Sequence, residues 1–70
     1  MVSYDRVSDA LYIRVRDGRV VDSVEVSEGV ILDLDEKGRI LGIEVLEYSK
    51  SGVDVDRLIK EGLEAVVKTR

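Results

Sequence analysis

The sequence predicts a small α+β domain: an antiparallel β-sheet of about five strands built from two hairpins, with one C-terminal amphipathic helix packed on it. Three patterns carry that expectation. Residues Ala10 to Arg16 alternate apolar and polar, residues Val30 to Leu46 form two apolar runs around Asp35-Glu36-Lys37-Gly38, and apolar residues from Val55 to Val67 recur at helical spacing. Thirteen valines in 70 residues add weight to the strands, because β-branched side chains pack well on a pleated surface. The chain is expected to be a single domain over residues 1–70, with the sheet at about 2–47 and the helix at about 54–67.

Val2-Ser3-Tyr4 opens as a short strand and gives way to the polar segment Asp5-Arg6-Val7-Ser8-Asp9. Next, Leu11, Ile13 and Val15 fall on one face and Tyr12, Arg14 and Arg16 on the other, the period of a half-buried strand. Asp17-Gly18 follows at once and predicts a two-residue hairpin loop, since a type I′ turn needs positive φ at both positions. That hairpin sets Val15 opposite Val20, Leu11 opposite Val24 and Ile13 opposite Asp22. The last pair is a misfit. It marks Asp22 as belonging to a bulge or an edge strand, where an inward-pointing charge discourages edge-to-edge aggregation.

Ser27-Glu28-Gly29 makes the next turn and leads into the central hairpin. Gly38 suits the left-handed position of a three-residue loop that Asp35 starts, which sets Asp35 beside Arg39 and Leu32 opposite Gly42. In this register Val30, Leu32, Leu34, Ile40 and Leu46 share one face, and Ile31, Leu41, Ile43 and Val45 the other. A hairpin apolar on both faces needs two covers. The helix supplies one and a second copy of the chain is expected to supply the other.

Val55, Leu58, Ile59, Leu63, Val66 and Val67 make the apolar stripe of the helix, with Asp56, Arg57, Lys60, Glu61, Glu64 and Lys68 toward water. Asp54 is its expected N-cap, and Val53 stands where it can staple onto Leu58. Lys68 and Arg70 lie near the negative end of the helix dipole. Gly62 interrupts the stripe at a cost of about 1 kcal/mol against Ala and marks a close approach to the sheet.

At this size a single core buries only about 60% of the surface of the unfolded chain, so small domains lean on disulfides, metals or oligomerisation. Cysteine and histidine are both absent, which excludes disulfides and every zinc site built from those residues and again favours a homodimer. A net charge of −4 repels phosphate backbones, so nucleic acid is not an expected partner, whereas a small basic protein is compatible. No apolar run approaches the ~20 residues of a membrane span and the first residues lack the pattern of a signal peptide, so a cytoplasmic location is expected. The chain has no Asn or Gln and is rich in Asp, Glu and Arg, a bias found in heat-adapted proteins.

Tyr4-Asp5, then Asp9-Ala10-Leu11-Tyr12-Ile13-Arg14, then Gly29 to Asp35 and Gly38 to Leu46 resemble the small prokaryotic family called domain of unknown function 2283. The resemblance covers about residues 1–50. It implies a compact, mostly antiparallel sheet with no established activity, and an antitoxin or accessory role because members are often encoded near small toxin-like proteins. The chain departs from the family pattern in its helical extension after Lys50 and in Lys37, where Asp or Asn is common.

Asp33, Asp35, Gly38, Ile40 and Glu44 fall at positions 1, 3, 6, 8 and 12 of a calcium-loop pattern, but Lys37 puts an ammonium where an oxygen ligand belongs and the flanks are strands. Asp5 and Asp9 could form a carboxylate pair, although turns and caps use Asp for its bonds to backbone N–H groups. Tyr4, Tyr12 and Tyr48 are read as packing side chains with solvated hydroxyls. Arg14 and Arg16 join Tyr12 on the best candidate contact surface. No residue is assigned a catalytic, cofactor-binding or metal-ligating role. The expected function is that of a non-enzymatic homodimeric interaction module, antitoxin-like or accessory to a small basic protein. The alternative is a small-ligand or divalent-metal protein using Asp33, Asp35 and Glu44 at the central turn.

Overall fold

The computed structural model describes residues 1–57. Five strands, β1 (Val2–Asp5), β2 (Ala10–Arg14), β3 (Asp22–Ser27), β4 (Val30–Leu34) and β5 (Ile40–Val45), are followed by one helical turn, α1 (Tyr48–Ser51). They form one antiparallel sheet in the order β1-β2-β5-β4-β3. Asp54 caps a second helical start at residues 55–57, its Oδ1 accepting from Arg57 N at 3.1 Å, as the sequence led us to expect. From residue 58 on, the expected helix lies outside the described residues. None of the helices described is long and apolar enough to cross a membrane.

The Asp17-Gly18 hairpin does not form. β2 lies between β1 and β5, with Leu11 opposite Val45 and Ile13 opposite Ile43, and β3 lies on the far edge beside β4. The reason is in the misfit pair. Facing Ile13 with Ile43 instead of Asp22 recovers burial of the order of 1.5–3 kcal/mol for that side chain. Asp17 is not among the residues with positive φ, so the type I′ turn is absent as well. Residues 15–21 instead form a strap past the ends of β5 and β4: Val15 N and Arg16 N both donate to Leu41 O, at 2.9 and 3.1 Å, and Val21 N donates to Leu34 O at 2.9 Å. Gly18 serves close approach, since a Cβ there would stand 2.9 Å from Leu41 Cδ2.

β4 and β5 do form the central hairpin, and Gly38 takes the left-handed conformation with φ 78°. Gly38 N donates to Asp35 O and Asp35 N to Arg39 O, both at 3.0 Å. Beyond that point the register differs from expectation. Leu34 pairs with Ile40 but Asp33 with Gly42, so Leu41 is an extra residue in a bulge, and Leu32 faces Ile43 instead of Gly42. One inserted residue transfers the rest of β5 to the other face. Ile43 and Val45 thus join Leu11, Ile13, Val30 and Leu32 in a single buried cluster, against which Val26, Leu34, Ile40, Tyr48, Val53 and Val55 pack. Apart from Ile31, the paired apolar residues of the hairpin therefore share one face, and the sequence's argument for a second cover loses most of its weight. Leu41, fully buried, sits apart from that cluster beneath the strap.

β3 is an edge strand, as Asp22 indicated: Asp22 faces Leu34, and a register shift between Glu25 and Ser27 bulges the strand.

Candidate functional site

The face of the sheet opposite the core is polar. Alternation turns Tyr12 and Arg14 of β2, Gly42 and Glu44 of β5, Ile31 and Asp33 of β4, and Ser23 and Glu25 of β3 to this side. Arg14, Gly42, Asp33 and Ser23 lie in one row across four strands. Tyr12 starts one step away and leans over Gly42, where any Cβ would collide with its ring. Only glycine leaves room for this. Across that gap the Tyr12 hydroxyl donates to Asp33 Oδ2 at 3.2 Å, while Ser23 Oγ donates to Oδ1 at 2.8 Å.

Burial and then the adjacent Asp33 charge push the Tyr12 hydroxyl above its ordinary pKa, so it stays a neutral donor at neutral pH. The Arg14 guanidinium stands 6.0 Å from the Tyr12 ring centroid and 3.9 Å from Asp17 Oδ1. With each Asp33 oxygen taking a hydroxyl donor, the row is a satisfied network that presents an aromatic ring and a cation outward. Such a surface suits contact with another molecule. Arg16 does not extend it, because β2 ends at Arg14 and the Arg16 backbone turns to Leu41 O.

A second cluster joins the two ends of the chain's described part. Asp9, with φ 55°, accepts from Tyr4 OH and Ser49 Oγ, both at 2.6 Å, and from Ser49 N. Its own carbonyl accepts from Tyr48 N at 2.9 Å, and the rings of Tyr4 and Tyr48 meet edge to face with centroids 5.9 Å apart. Hydrogen bonds from the Ser49 and Tyr4 side chains hold the Asp9 carboxyl below its ordinary pKa, and the same bond pushes the Tyr4 hydroxyl up. Asp9 is thus a latch between the β1–β2 hairpin and α1. Asp5 serves its own turn, with Oδ1 accepting from Val7 N at 2.9 Å, and that bond lowers its pKa. The two carboxylates act as cap and turn residues, in keeping with their ordinary use.

Asp35 is buried, and its carboxylate accepts from Lys37 N at 2.9 Å, Arg39 N at 2.8 Å and Arg39 Nε at 2.8 Å. The bond from the Arg39 backbone is the main reason its pKa is low. Asp35 is consumed inside the turn while Asp33 is engaged with Tyr12 and Ser23. Among the described residues no three acidic side chains converge on a cation-sized site.

A groove of about 770 Å³ opens between the β3–β4 turn and residues 46–57. Glu25, Glu28, Glu47 and Asp54 line it, against Lys50 and Arg57, so its carboxylates outnumber its cations.

Sequence reasoning found Tyr12, Arg14 and Asp33 but missed Ser23, Gly42 and the Asp9–Ser49 latch. Gly42 carried a usable signal, because an isolated glycine in a strand marks a bulge or a close approach, and here it does both.

Comparison with known proteins identifies one family. The model for a protein of unknown function (DUF2283) matches residues 1–49, from β1 through β5 into α1. No curated protein and no solved structure matches the chain.

Proposed function

The chain belongs to the DUF2283 family, whose function is unknown, and from its own geometry we propose that it is a non-enzymatic interaction module that works as a homodimer. The observation that carries this proposal is the β1 edge. All four residues of β1 are exposed, and Val2 and Tyr4, at 45% and 46% exposure, present apolar side chains at a strand end with no bulge and no charge on the apolar face. An unprotected edge is a template for pairing with another chain. The shifted groups support contact over proton transfer: Asp5, Asp9 and Asp35 are held charged, and Tyr4 and Tyr12 neutral. Size-exclusion chromatography with light scattering should return twice the chain mass at micromolar concentration. A monomer at that concentration would overturn the homodimer.

The acidic groove favours a small basic protein as the further partner, in an accessory or antitoxin-like arrangement. Unlike charges across such a surface steer association and weaken with salt. Calorimetry with a lysine-rich peptide should show binding at low ionic strength that fades toward 1 M salt. Binding that is indifferent to salt, or absent, would remove the basic partner.

A further inference from the structure

We infer that the second copy pairs through β1 itself, antiparallel, with Ser3 of each chain on the two-fold axis. This rests on the homodimer proposed above and specifies its surface and register. Met1 and Arg14 exchange both backbone hydrogen bonds, Arg14 N to Met1 O at 2.7 Å and Met1 N to Arg14 O at 3.2 Å. In an antiparallel ladder such pairs alternate, so Ser3 and Asp5 also turn their backbone groups inward, toward Tyr12 and Ala10. Val2 and Tyr4 are left with N–H and C=O directed out of the sheet.

Two β1 strands centred on Ser3 place Val2 of one chain opposite Tyr4 of the other, twice. Each pair joins outward-facing donors and acceptors, giving four inter-chain hydrogen bonds. A shift of one residue at either strand sets outward groups against inward ones and loses them. Centring on Val2 or on Tyr4 leaves one self-pair and two bonds.

Side chains agree with this register on both faces. Val2 and Tyr4 share the apolar side with Ile13 and Leu11, so the pairing sets an aromatic ring beside a β-branched side chain and extends the apolar face across the axis. On the polar side, Asp5 of one copy falls in line with Met1 and then Arg14 of the other. Arg14 and that Asp5 are two strand spacings apart, about 9–10 Å between Cα atoms, a span their side chains can bridge. Symmetry makes two such ion pairs. At β3 the same construction fails, because Asp22 points a charge to the apolar face and the shift between Glu25 and Ser27 breaks the ladder.

The chain has no cysteine, so Ser3→Cys supplies a lone thiol in the 70-residue chain. On the axis of a non-hydrogen-bonded pair its Cα lies about 4.5 Å from its mate, within disulfide reach. Oxidation should convert this variant to a disulfide dimer, and Glu25→Cys on β3, the control, should stay reduced. Val2→Pro removes an outward N–H and no bond to β2, so it should keep a folded circular-dichroism spectrum and weaken dimerisation at least tenfold by light scattering. A wild-type dimer with no Ser3→Cys cross-link and an undiminished Val2→Pro dimer would overturn the β1 register while leaving the homodimer standing. A wild-type monomer would overturn both.

Discussion

The two edges of this sheet follow opposite rules. β3 carries a bulge and sets Asp22 opposite Leu34 on the apolar side, so a strand added there would meet a charge and a broken ladder. β1 is short and regular, and its apolar-side residues are Val2 and Tyr4. Among the described residues, one edge is defended and the other is open. A sheet defended at one end only can grow by a single step, since a two-fold pairing consumes the open edge of both copies.

The largest expected effect comes from removing the defence. Asp22→Val should give β3 an open apolar side, and with both edges available the assembly should grow beyond a dimer. Light scattering should then show a mass that rises with concentration; an unchanged mass would assign the protection to the bulge alone.

Leu41→Ala empties the fully buried position beneath the strap that runs from β2 to β3. Such truncations cost about 2–5 kcal/mol, which for a domain of this size lowers the melting temperature by about 10 °C or more. Hydrogen exchange should rise at both edges together, because the strap binds the ends of β5 and β4. A rise confined to one edge would show that the edges are independent.

A smaller change, and one that separates the edges, is expected at the latch. Asp9→Ala should speed exchange in β1 and α1 and leave β3 unchanged. Acid should act in the same way. Because the folded-state pKa of Asp9 is depressed, its contribution is present above the ordinary Asp pKa and is lost as pH falls through the depressed value. The Asp9→Ala variant should therefore lose less β1 protection on acidification than the wild type; an equal loss would locate the sensitivity elsewhere.

Arg14→Gln should produce the smallest change in the stability of the single chain. The Arg14–Asp17 pair is exposed and 3.9 Å long, so chemical denaturation should detect less than about 1 kcal/mol.

Much of this contrast was legible in the sequence, for local reasons. Asp22 announced an edge strand because a charge stood where alternation required an apolar residue, and Asp35 to Gly38 announced their turn through residue chemistry. Asp54 likewise announced its cap. What stayed hidden depends on distant residues. β2 chose β5, about thirty residues away, over its sequence neighbour, and no turn motif encodes that choice. The bulge at Leu41 was hard to read because Ile40, Leu41, Ile43, Val45 and Leu46 offer apolar side chains in either register; only Glu44, which the regular register would have turned to the face of Val30 and Leu32, marked the shift. Asp9 and Ser49, 40 positions apart, looked like ordinary turn residues until the fold brought them together.

Strand order also sets a schedule for the chain as it is made. The β1–β2 hairpin is complete once residue 14 has left the ribosome, yet its neighbour β5 begins only at Ile40. At a synthesis rate of about 5–20 residues per second, Leu11 and Ile13 wait roughly one to five seconds for the strand that covers them. Meanwhile β3, β4 and β5 can assemble among themselves in chain order. The β1–β2 hairpin is thus the last pair of strands to dock, and it takes its place only after the chain's own β5 has arrived.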